Sequence, residues 1–243
     1  MGRGGPAGYI KMASENPYQL SRSDLENILF SDNSDVRSRF RENFADPIQK
    51  FLTESERTCG RLRGFTHAVS KDRRAAWTES FLFGAFNSLV TSCHLLISGF
   101  PIPAGNLMRH YGEAAAMALL CSHHDIHVVE QLNKDKKFAV QKAVQNVQKN
   151  AKRLKINRKA WKGFEDITKW YDHYSHASVF SLATLTIFSR PGTVILGSGF
   201  DDEKQKRYRN EIELRISSMA RLYEFIEAVE QNVKAAQAHG LVQ

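Results

Sequence analysis

Along most of this chain apolar residues recur at steps of three and four. In SDVRSRFRENFADPIQKFLTESERTCGRLRGFTHAVS (34–70), Phe40, Phe44, Ile48, Phe51 and Leu52 keep that spacing, which winds one apolar stripe along a helix. Pro47 has no amide hydrogen and its ring crowds the preceding turn, so a bend is expected there. Residues 73–99 read as a second long helix, apolar all round and therefore central. Its segment FLFGAFNSLVTSCHLLISGF (81–100) carries Asn87, Ser88, Thr91, Ser92 and His94, which make a poor bilayer span and a good buried helix. FPIPAG (100–105) stops it, and NLMRHYGEAAAMALLCSHH (106–124) is alanine-rich and helical.

In KDKKFAVQKAVQNVQKNAKRLKIN (134–157) the residues Phe138, Val140, Val144, Val147, Ala151 and Leu154 oppose a lysine-rich face. No aromatic residue is interleaved for base stacking, so a solvated face is expected there rather than a nucleic-acid groove. RKAWKGFEDITKWYDHYSHASVFSLATL (158–185) continues the helical pattern. The last helix, over 202–237, lines up Ile212, Ile216, Met219, Leu222, Tyr223, Ile226 and Val229. One stretch breaks the rule: in LTIFSRPGTVILGSGF (185–200) two β-branched runs flank SRPG and read as a small hairpin. Near the amino end, Ser21 or Ser23 can cap a short helix in SRSDLENILFSDN (21–33). Residues 1–20 show no periodicity and are expected as a disordered or non-native tail, with Met12 an alternative start. The expected fold is all-α: one bundle of six to eight helices over 21–240, with a hairpin arm at 185–200.

Composition adds less. Of the 243 residues, 34 are Lys or Arg and 26 Asp or Glu, a net charge of +8 that attracts polyanions without specifying any of them. The three cysteines, Cys59, Cys93 and Cys121, form no CxxC pair, which fits a reduced, cytoplasmic setting. No secretory leader, phosphate loop, GxSxG elbow, zinc spacing or dinucleotide fingerprint appears, so no cofactor, metal or membrane partner is expected.

Candidate chemistry lies in four places. Arg109 and Glu113, at i and i+4 in MRHYGEAAA, share a face among small residues, where another helix should pack close. WYDHYSHASVFSL (170–182) crowds tyrosine, histidine, aspartate and serine together. On one continuous helix His173, His176, Ala177 and Phe180 form one stripe, Tyr171, Ser175 and Ser178 another, with Tyr174 between them. Such groups can move protons near neutral pH or form a buried polar network that fixes packing. In CSHHDIHVVE (121–130), His123, His127 and Glu130 have metal-face spacing without the HExxH pattern. In RLRGFTH (61–67), Arg63 and His67 share a face, and Arg61 precedes His67 by six positions.

RLRGFTH resembles the arginine-to-histidine spacing of bacterial HEPN proteins (higher eukaryotes and prokaryotes nucleotide-binding), although Leu62 stands where that family has a polar residue and the motif comes early. Over about residues 79–235 the chain is also similar to HEPN-like bacterial proteins in carrying Arg109 and Glu113 on one helix and Tyr171, Ser175 and His176 on a later one. The resemblance implies a helical bundle in which these residues meet at the centre. It also implies an RNA-directed protein, a metal-independent ribonuclease or an inactive relative, in a toxin–antitoxin or phage-defence setting. His176 or His173 would then handle a ribose proton with Arg109 on the phosphate and Glu113 and Tyr174 beside them. Tyr171, Ser175, Arg61, Arg63 and His67 would bind. The alternative is a non-catalytic module that binds a protein partner or forms a homodimer through its C-terminal helix.

Overall fold

A computed structural model describes residues 9–11, 21–69, 72–128, 130, 143–176, 178–189 and 192–238. Among these residues eight α-helices and three short strands form an all-α bundle with a small antiparallel sheet. α1 (Arg22–Phe30) opens on a capping box, in which the Ser21 side chain accepts from the Asp24 amide and Asp24 answers the Ser21 amide. α2 (Ser34–Ala68) bends at Phe44 (φ −136°, ψ 31°), three residues before Pro47, as the missing proline donor requires. Its stripe is buried at Phe40, Phe44 and Phe51, but Leu52 points to solvent.

α3 (Arg73–Ile97) and α4 (Pro101–Ser122) form the tightest pair. Gly99 makes the turn between them. At φ +82° it closes α3, its amide donating to Leu96 and the Phe100 amide to Leu95, and Pro101 then starts α4 where no amide donor is needed. By length and composition α3 could cross a membrane, with a mean hydropathy of 1.5 over 18 residues. In the bundle Leu82, Ala85, Leu89, Cys93 and Leu96 are buried, while Phe83 and Val90 stay exposed. The centre belongs instead to α4, buried without a break from Ala114 to Ser122. Its alanines and Gly112 let neighbouring helices approach from several sides.

The chain continues through α5 (Ala143–Lys149), α6 (Arg158–Ser175) and α7 (Val179–Leu185). Of the stripe expected over 134–157, Val147, Ala151 and Leu154 are buried and Val144 half-buried, whereas Phe138 and Val140 lie outside the described residues. The predicted hairpin forms as β2 (Thr186–Ile187) and β3 (Thr193–Ile195), with Thr186 opposite Val194. Within the expected tail one element is described: β1 (Tyr9–Lys11) pairs with the other edge of β3, Tyr9 opposite Ile195. A 3-10 turn (Asp202–Lys204) leads into α8 (Gln205–Ala238). Ile212, Met219, Leu222, Ile226 and Val229 of α8 are buried, as the periodicity predicts, against α2, α3 and α4.

Candidate functional site

The crowded stretch does not continue as one helix. α6 ends at Ser175, and a second capping box restarts the chain: Ser178 Oγ accepts from the Ser181 amide (3.2 Å) and Ser181 Oγ from the Ser178 amide (2.9 Å). Ser178-x-x-Ser181 is a capping signal visible in the sequence, and it interrupts the expected stripe of His173, His176 and Phe180; Ala177 lies outside the described residues. The residues of 170–176 instead divide between three surroundings.

Tyr171 and Tyr174, three residues apart, turn inward together. Their hydroxyls donate to the two carboxylate oxygens of Glu211 on α8, at 2.9 and 2.7 Å. Glu211 in turn accepts from Arg215 Nη1 (2.8 Å), and the same nitrogen reaches the Glu211 carbonyl (2.7 Å). Arg215 is 0% exposed, and its Nε donates to Ser92 of α3, which donates to the Ala104 carbonyl of α4. Arg207 extends the network outward to Tyr174 (3.2 Å) and to Thr184 of α7 (2.6 Å). Five helices are joined through one carboxylate. Burial pushes the Glu211 carboxyl up, but the Arg215 charge and the hydrogen bonds from Arg215, Tyr174 and Tyr171 outweigh it and hold the group below its ordinary value. Burial raises both phenols well above their ordinary range, so they act as fixed donors to Glu211.

Asp172 and Ser175 take the second direction, toward α4. Arg109 Nε lies 3.2 Å from Glu113 and 3.3 Å from Asp172, and its Nη1 donates to Ser175 Oγ (2.9 Å). The expected juxtaposition of Arg109, Glu113 and Ser175 is present, but at the rim of the bundle: the Arg109 side chain is 35% exposed. Tyr171 is not with them, having turned to Glu211 in the core. Two carboxylates already balance the guanidinium, so its chemistry is that of a strut between α4 and α6.

His173 and His176 take the third direction and are exposed; the His173 ring touches Trp170 and Phe180. Arg61, Arg63 and His67 lie on α2, which packs on α3 and α8 rather than joining the α4–α6 rim. Arg61 pairs with Glu230 at 3.0 Å, while Arg63 and His67 face solvent. The helical metal face of His123 and His127 does not form, because α4 ends at Ser122 and His127 sits in the turn beyond, 3.7 Å from Glu130.

A different surface is the most distinctive. From Lys149 to Phe164 the sequence holds seven cations, namely Lys149, Lys152, Arg153, Lys155, Arg158, Lys159 and Lys162, and no acid. Lys162 pairs with Asp166 at 2.6 Å. Lys149, Lys152, Arg153, Lys155 and Arg158 are all exposed and pair with no carboxylate among the described residues. The aromatics that the 134–157 pattern lacks come from beneath it: Trp161 and Phe164 on α6 stack at 4.6 Å and 27°, and Phe225 of α8 lies nearly parallel to Trp161 at 6.5 Å. Sequence spacing could not show that α8 supplies the third ring. No protein-family model, curated protein or solved structure matches the chain. The fold and surface define a basic all-α bundle with a sealed Tyr–Glu–Arg core and an exposed cationic belt whose own sequence holds no acid.

Proposed function

We propose that this protein binds RNA through the belt of residues 149–158. The observation that supports it is the run of five exposed cations that pair with no carboxylate among the described residues. Elsewhere acids and cations are interspersed along the chain and several pair, as in Arg39–Asp202, Arg61–Glu230 and Lys169–Glu165, whereas the stretch 149–164 holds no acid at all. A local excess of positive charge releases counterions when a phosphate backbone replaces them, which drives sequence-independent binding. Arg109, held by Glu113 and Asp172, has little charge left for phosphate. In the test, a labelled single-stranded RNA is titrated by fluorescence anisotropy against the wild type and a Lys152→Glu, Arg158→Glu variant. At least a tenfold loss in the variant supports the reading; unchanged affinity, or tighter binding of DNA of the same sequence, overturns it.

Cleavage of the bound RNA is a second reading. It is favoured by the exposure of His173 and His176 within two residues of Ser175, whose hydroxyl Arg109 holds. Total RNA incubated with wild type and with a His173→Ala, His176→Ala variant decides it. Cleavage by the wild type alone supports catalysis, whereas equal cleavage by both, or none by either, removes it.

A further inference from the structure

The belt borders a cleft of about 310 Å³ in which α4, α6 and α8 meet. Trp161, Phe164 and Phe225 form its walls, and Lys155, Arg221 and Glu224 complete its mouth. Two of the walls are held by neighbouring groups. Trp161 Nε1 donates to the Val144 carbonyl of α5 (3.1 Å), and Tyr111 meets Phe164 edge-on at 5.6 Å while its hydroxyl donates to the Ser218 carbonyl. These rings keep their orientation without a ligand, so little ordering is needed on binding. Lys155 stands at the mouth in a left-handed backbone conformation (φ 53°), where a glycine or asparagine would be easier. That turn carries the chain from the end of α5 into α6 and leaves the Lys155 amine exposed beside the aromatic walls.

We infer that this cleft takes one unstacked base of the bound strand, with Lys155 and Arg221 on its flanking phosphates. This rests on the RNA reading of the belt and deepens it. An apolar ligand would leave two exposed cations at the mouth without purpose, and a bare phosphate would leave the aromatic walls unused. A nucleotide uses both: the flat ring lies against aromatic faces, and the phosphate meets the cations. Glu224 opposes a phosphate at its end of the mouth and accepts N–H groups, which base edges carry. A base within a duplex cannot enter, so the site discriminates in favour of single strands.

The experiment compares a 12-nucleotide single-stranded RNA with the same sequence as a duplex, by anisotropy at low salt. Ala228→Phe places a ring in the cleft from a half-buried lining position without touching the belt. Phe225→Ala removes one wall by the opposite change in volume. Each should weaken single-strand binding by about tenfold, within the range for losing one stacked base, and leave duplex binding unchanged. Lys152→Glu with Arg158→Glu should weaken both. If the two cleft variants, folded by circular dichroism, bind the single strand as the wild type does while the charge reversal weakens it, the cleft assignment fails and the belt reading stands. If the charge reversal changes neither, the belt reading fails with it.

Discussion

At the scale of single residues the decisive group is Glu211. It is buried, accepts from three side chains and neutralises Arg215, so removing it strands a guanidinium in the core. Glu211→Ala should therefore cost about 3–5 kcal/mol, the scale for breaking one half of a buried pair, read from urea unfolding. The same group sets part of the acid limb. Its folded value lies below the ordinary 4.5, so in acid the unfolded chain binds the proton first. The stabilisation is fully present above pH 4.5 and is lost as pH falls through the folded value. Melting temperatures between pH 6 and 3 should fall less steeply for Glu211→Gln than for the wild type. Arg109 contrasts with it. Half-exposed and surrounded by screened partners, it should cost less than about 1 kcal/mol as Arg109→Ala and leave RNA affinity unchanged. A large loss of affinity in that variant would return Arg109 to the binding surface.

At the scale of elements, the α4–α6 contact controls whether the network can form. A Cβ added at Gly105 would lie 2.3 Å from Tyr174 Cγ, a clash with the ring, and one at Gly112 would collide with Thr168 Oγ1 and Cγ2. These glycines let α6 approach close enough for Tyr171 and Tyr174 to reach across to α8. Gly105→Ala should displace Tyr174 from Glu211 and destabilise the fold by about 1–3 kcal/mol, as overpacking does. Gly60 and Gly64, with open space around them, should tolerate alanine without loss. Parallel urea melts of Gly105→Ala and Gly64→Ala test the contrast. The break after Ser175 works at the same scale: Ser178 and Ser181 restart the helix, so α7 can turn Thr184 toward Arg207.

For the whole molecule, binding by five exposed cations predicts a salt response. With about five phosphates contacted, log K against log salt should fall with a slope of about −3.5 for a single strand, and shallower for the charge-reversed variant. A flat response in the wild type would exclude the belt as the binding surface. The helices themselves were legible because their apolar period is local: Phe40 and Phe44, or Ile212 and Met219, announce a buried face whatever they pack against. Arg109–Glu113 was legible for the same reason, being one turn apart on a single helix. Glu211 and Arg215 were not, since charged residues next to an apolar stripe read as solvent-facing until two tyrosines forty and thirty-seven positions earlier are seen to satisfy the carboxylate. The cleft was hidden likewise, because Lys155, Trp161 and Phe225 share no local pattern. Sequence periodicity alone thus determined which segments coil and which face each buries, since those depend on neighbours three and four residues away. Which polar side chains enter the core, and which rings wall a cleft under the basic belt, was decided only when distant helices packed, because a buried charge or an open aromatic face is defined by partners from elsewhere in the chain.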